Sequence, residues 1–135
     1  MSADMTYIYK RNRTPLRRSL DWRVRAMMQL CLDDLSRSGM DHRLHVVLQT
    51  GRSKTQSRYF GLCYYFWNQP TIYVYTYRRR MRAVLMTLAH ECGHVAHFVL
   101  YPQSQLWMTA HKELFADRYA RLMMERFEAR YGELA

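Results

Sequence analysis

The chain has 135 residues, 49% apolar and 24% charged, which suits one compact domain and excludes a two-domain regulator, a wholly disordered chain or a fibrous one. Its 5 Gly and 3 Pro exclude a collagen-like repeat. Lys and Arg number 21 against 11 Asp and Glu, a net charge of +10, so polyanionic or acidic partners are favoured over basic ones.

Residues 1–13 show no sustained period and end in Lys10-Arg11-Asn12-Arg13, which reads as a basic arm ahead of a single domain over 14–135. Thr14-Pro15 has the form of an N-cap followed by proline at the first helical position. Leu16, Leu20, Val24, Met27, Met28, Cys31 and Leu35 then recur at helical spacing, and Gly39 supplies a stop. Leu44 to Leu48 alternates as a strand, and the polar stretch from Gln49 to Ser57 reads as a loop. Arg58 to Phe66 and Thr71 to Tyr77, rich in aromatic and branched residues, form a hairpin about Trp67-Asn68-Gln69-Pro70. In its second strand Ile72, Val74 and Thr76 alternate with Tyr73, Tyr75 and Tyr77. The aromatic cluster Tyr59, Tyr64, Tyr65, Phe66 and Trp67 reads as core, with base stacking as the alternative.

Residues 79–101 are apolar at helical spacing, contain no proline and stop before Pro102. A connection over Pro102 to Trp107 leads to Thr109 as a cap and a last helix that runs to Gly132. The order is helix, three strands, helix, helix. The expected fold is therefore α+β, a small three-stranded antiparallel or mixed sheet packed on an N-terminal, a central and a C-terminal helix.

The central helix carries His90-Glu91-Cys92-Gly93-His94. Two histidines four residues apart share a helix face and can converge on one metal ion, whereas Glu91, about 100° away around the axis, can flank it as a base. Glu113-Leu114-Phe115-Ala116-Asp117 follows on the next helix, which a short connection returns antiparallel. Glu113 is the natural third ligand. Two His and one Glu leave zinc an open position, and Asp117, one turn on, can accept the second ring N–H of a ligating histidine. Cys92 lies off the liganding face and reads as a small buried residue, and Gly93 implies a close packing contact behind the metal.

These two segments resemble the HExxH and ExxAD signatures of small gluzincin-type zinc peptidases, most closely the ImmA/IrrE-like group, over about Ile72 to Tyr119. The resemblance implies a minimal zincin-like domain and one zinc ion on His90, His94 and Glu113. It further implies Glu91 as general base, Asp117 behind a ligand, and an edge strand including Ile72, Tyr73, Val74 and Tyr75 that pairs with an extended protein or peptide substrate. SprT-like metalloproteases, which act on proteins attached to DNA, offer a second resemblance. Their third ligand is a later histidine, which makes His111 the rival of Glu113 and leaves His97 awkwardly placed. His111, His97 or a tyrosine of the hairpin are the candidates for stabilising an oxyanion.

The charge is unevenly placed. No acidic residue lies between His42 and His90, whereas Arg43, Arg52, Lys54, Arg58, Arg78, Arg79, Arg80 and Arg82 do. Arg78, Arg79, Arg80 and Arg82 precede the central helix as a candidate polyanion site, so nucleic acid is a candidate partner. A merely solvated basic face is the alternative, and with it a nucleic-acid- or protein-binding module whose zinc site is structural or vestigial. Cys31, Cys63 and Cys92 are too few and odd for a disulfide framework, and no leader-like apolar run precedes Thr14. His90, Glu91, His94 and His97 argue against burying the apolar central helix in a membrane. The expected setting is cytoplasmic.

Overall fold

The computed structural model describes residues 7–11, 15–40, 43–51, 60–66, 69–101 and 109–134, with backbone alone at 7–11, 64–66, 69 and 109. Thr14, the basic residues Arg52, Lys54 and Arg58, the loop residues 52–57, Tyr59, Trp67 and the connection from Pro102 to Trp107 lie outside the described residues. The elements run β1 (Tyr7–Arg11), α1 (Arg18–Arg37), β2 (His45–Gln49), β3 (Gly61–Phe66), β4 (Gln69–Tyr75), α2 (Met81–Leu100) and α3 (Thr109–Tyr131). The fold is α+β, with a small mixed sheet and three helices.

Helix α1 buries the stripe read from sequence, Leu20, Val24, Met27, Met28, Cys31 and Leu35, with Leu32 added. It begins later than expected. Pro15 to Arg17 are not helical, and Arg17 is the N-cap, without a side-chain hydrogen bond to the first turn. The far end closes as a Schellman turn, in which Met40 N–H donates to Leu35 O and Gly39 N–H to Ser36 O. Gly39 sits at φ +107°, in the left-handed region that a side chain disfavours.

The sheet has four strands in the order β1-β2-β4-β3. The additional strand is Tyr7–Arg11, which the sequence placed in an arm; it pairs parallel with β2, Tyr7 opposite His45. Its short length and basic end masked it. Strand β2 pairs parallel with β4, and β4 antiparallel with β3 in a hairpin, so Gln69-Pro70 belongs to the strand rather than the turn. Consequently β4 is internal. Ile72 and Val74 are fully buried with Val46 and Leu48 in the core, while Tyr73 and Tyr75 on the opposite face are buried too. Tyr73 Oη donates to Gln49 Oε1 at 2.6 Å.

Helix α2 is long and apolar enough by length and composition to cross a membrane, yet it is the central core helix of this fold. Val84, Leu85, Leu88, Ala89, Cys92 and Val95 are buried in the same cluster as α1 and the sheet. Helix α3 joins through Tyr119, Ala120, Met123, Met124 and Phe127. Where α3 crosses α2 the backbones come very close: a Cβ on Gly93 would lie 2.8 Å from Ala116 Cα and 3.0 Å from Ala116 O. Such an approach needs glycine, which accounts for a residue that otherwise weakens a helix by about 1 kcal/mol.

Candidate metal centre

The α2–α3 crossing sets the site. His90 and His94 lie one turn apart on α2, their rings 5.0 Å apart and nearly perpendicular at 80°. Glu113, in the second turn of α3, is brought over them by the Gly93–Ala116 contact. Its Oε2 lies 2.8 Å from His94 Nε2 and 3.2 Å from His90 Nε2. Asp117, one turn further along α3, accepts from His90 Nδ1 at 2.9 Å. That bond fixes the His90 tautomer and leaves its Nε2 lone pair for a ligand.

These atoms form a group that could hold a metal ion: one donor atom each of His90, His94 and Glu113, all within 4.8 Å of one another. The donor chemistry and spacing fit a small divalent cation. Two donors each about 2.0–2.1 Å from a tetrahedral centre stand about 3.3 Å apart, close to the Nε2–Oε2 separations observed. Three protein ligands leave a further position open, and all three side chains are partly exposed, His90 and His94 at 21% and Glu113 at 48%. Burial holds the His94 imidazole below its ordinary value, with Glu113 opposing the shift, so the ring is kept in the neutral form that can ligate.

Glu91 lies beside the histidines around α2, about 100° from His90, and packs against β3 of the sheet. It is buried, and a Cβ on Gly61, the first residue of β3, would lie 2.8 Å from its Oε2 and 2.6 Å from Thr87 Cγ2. Burial raises its carboxyl to about 8, helped by the negative charge of Glu113. Glu91 thus flanks the group without joining it. Nothing in the sequence pointed to Gly61 as its neighbour, because a glycine before an apolar run carries no signal about a contact that is made only in space.

The rival third ligand lies elsewhere. His111 meets His97 instead, Nδ1 to Nε2 at 3.3 Å, in a cluster that includes Tyr101 and Phe115 packed about His97. Neither histidine is in the metal group. Cys92 is fully buried, and a hydrogen bond with Cys31, followed by burial, pushes its thiol well up; it is an inert core residue.

Two further expectations are corrected. Ile72, Tyr73, Val74 and Tyr75 cannot receive a substrate strand, because β4 is already paired with β2 on one side and β3 on the other. The edge beside α2 is β3. Nor do Arg78, Arg79, Arg80 and Arg82, the last of them inside the first turn of α2, form one free patch. Arg79 is bound internally, donating to Tyr75 O at 2.8 Å, Ala83 O at 3.2 Å and Thr87 Oγ1 at 2.8 Å, with its guanidinium 4.2 Å from the Phe60 ring centroid. Arg82 pairs with Glu128 of α3 at 2.9 Å.

The chain matches no protein-family model, no curated protein and no solved structure.

Proposed function

We propose that the protein is a metal-dependent peptidase that binds one zinc ion through His90, His94 and Glu113 and hydrolyses peptide bonds with Glu91 as general base. The observation that carries this reading is the convergence of His90 Nε2, His94 Nε2 and Glu113 Oε2, with Asp117 behind His90. The resemblance to gluzincin-type peptidases rests on the same residues.

When bound, zinc supplies Lewis acidity toward water and a carbonyl oxygen, which brings water ionisation close to neutral pH. The remaining work falls to the chain. His90 and His94 act as neutral donors, and Asp117 holds the proton on His90 Nδ1 so that Nε2 stays free. Glu91 in its carboxylate form takes a proton from the attacking water and returns it to the departing amine nitrogen, which completes cleavage of the C–N bond. Its burial strengthens it as a base, and the positive charge of a bound zinc ion would draw its carboxyl back toward the carboxylate form near neutral pH. Strand β3, beside Glu91 and paired only with β4 among the described residues, offers its outer main-chain groups to an extended peptide.

The test combines metal analysis with cleavage of a peptide library, comparing wild type, Glu113→Ala and His111→Ala. Wild type and His111→Ala retain about one zinc per chain and cut peptides; Glu113→Ala loses both. Zinc retained by every variant, without cleavage by any of them, refutes the peptidase reading and leaves a structural site in a binding module.

A further inference from the structure

The N-terminal ends of α1 and α2 open on one cleft, away from the metal group. Arg80, the N-cap of α2, precedes His90 by ten residues, about 15 Å along the axis. Arg17 is the N-cap of α1, and neither cap makes a side-chain hydrogen bond to its helix. Arg17, Arg23, Arg78, Arg79 and Arg80 line a hollow of about 580 Å³ in which, among the described residues, Glu133 is the one carboxylate residue. A second hollow of about 320 Å³ shares Arg17, Arg78 and Arg79 and continues past Tyr77 to Thr50 and Thr76.

Within this groove Arg79 is committed to the fold, and Arg23 donates to Ser19 O at 2.9 Å. Among the described residues, Arg17, Arg78 and Arg80 pair with no carboxylate. Arg17 and Arg80 also stand at helix N-termini, where the macrodipole disfavours cations and the first-turn N–H groups seek acceptors. An anion between them satisfies both demands. Arg78 holds φ +54°, in the left-handed region, with its guanidinium 5.4 Å from the Tyr77 ring centroid. Two hollows that share three arginines suit a line of phosphates better than a single closed pocket would, and a half-buried tyrosine beside them offers a face to a base.

We infer that this groove binds the phosphodiester backbone of a nucleic acid, with Arg17, Arg78 and Arg80 contacting phosphates and Tyr77 stacking on a base. The inference is independent of the peptidase reading, since the metal ligands take no part in it.

The test is binding of a fluorescein-labelled single-stranded oligonucleotide of about 12 nucleotides, within the usual site size, followed by anisotropy against salt. The variant Arg17→Ser/Arg78→Asn/Arg80→Ser removes three charges yet installs preferred capping residues and a residue tolerant of positive φ, so it keeps its fold. The control Arg37→Gln/Arg118→Gln/Arg121→Gln removes the same charge elsewhere. At about 0.7 counterions per phosphate contact on a single strand, three contacts make the wild type lose roughly 20-fold more affinity than the groove variant between about 50 and 200 mM salt. The groove variant binds about tenfold or more weakly at the lower salt, and the control stays within about threefold of wild type. Equal weakening in both variants, an unchanged groove variant, or binding to anionic phospholipid vesicles without binding to the oligonucleotide overturns the inference.

Discussion

Replacing Gly93 by alanine separates the two jobs this glycine does. As a helix residue alanine is better by about 1 kcal/mol. As a contact it is worse, because the added Cβ would stand 2.8 Å from Ala116 Cα and 3.1 Å from Tyr119 Cβ, where carbon atoms prefer about 3.5–4.0 Å. Two of the three near atoms belong to the backbone of Ala116, so no rotamer change relieves the clash and α3 must withdraw by about 0.7–1 Å. Overpacking of this kind destabilises by about 1–3 kcal/mol, which leaves a net loss of about 0–2 kcal/mol after the helix gain. Metal binding suffers as well. Glu113 stands one turn before Ala116 on the same helix, and metal–ligand distances tolerate only about 0.2 Å. Gly93→Ala is therefore expected to lower zinc affinity about 10-fold or more, the lower end of the loss seen when a ligand is misoriented, while the metal-free protein loses no more than about 2 kcal/mol in chemical denaturation. Calorimetric zinc titration beside a urea melt reads both. A variant that is more stable and binds zinc as tightly as wild type would refute the view that this close approach places Glu113.

Four further outcomes are expected. Glu91→Gln keeps zinc at wild-type stoichiometry and abolishes peptide cleavage; residual turnover above about one part in a hundred removes Glu91 from the base role. In the metal-free protein the raised Glu91 carboxyl makes the folded state hold a proton that the unfolded state gives up near 4.5, so stability falls as pH rises from about 4.5 to about 8. The full effect is on the order of 5 kcal/mol at about 1.4 kcal/mol per pH unit. His94, held low, works in the opposite direction, so the contribution is read as the difference between wild-type and Glu91→Gln melts; parallel pH profiles would contradict it. Asp117→Asn weakens zinc binding by about 10–100-fold without removing a ligand, and an unchanged dissociation constant would show that the bond to His90 Nδ1 is idle. Arg79→Met removes three side-chain hydrogen bonds that tie β4 to α2 and lowers stability by about 1–3 kcal/mol, measurable by denaturant midpoint.

Much of the metal group was legible because its determinants are local. His90 and His94 are linked by helix periodicity, and Glu113 and Asp117 by the same periodicity on the next helix. The choice of Glu113 over His111 followed from Asp117 in register, and the pairing of His111 with His97 agrees with it. The stripes of α1 and α3 were equally plain. What escaped depended on strand order. Ile72 to Tyr75 alternates like a one-faced strand, yet pairing on both sides buries both faces, and no periodicity distinguishes an internal parallel strand from an edge. Tyr7–Arg11 is too short and too basic to stand out alone, and it becomes a strand only because β2 offers it an edge. Among the arginines the sequence shows charge but not engagement. Arg79 and Arg80 are adjacent, yet one is bound to carbonyls and a threonine inside the fold while the other faces the cleft.

The order β1-β2-β4-β3 leaves two outer rims of unequal character. The β1 rim carries Lys10 and Arg11, charges of the kind that discourage a second molecule from adding its own strand there. The β3 rim, Gly-Leu-Cys-Tyr-Tyr-Phe, has no charged residue, and Leu62 is 40% exposed. Openness to a guest chain and vulnerability to self-association are the same property at this rim. At high concentration the protein is expected to associate first through β3, the strand whose Gly61 lies against Glu91.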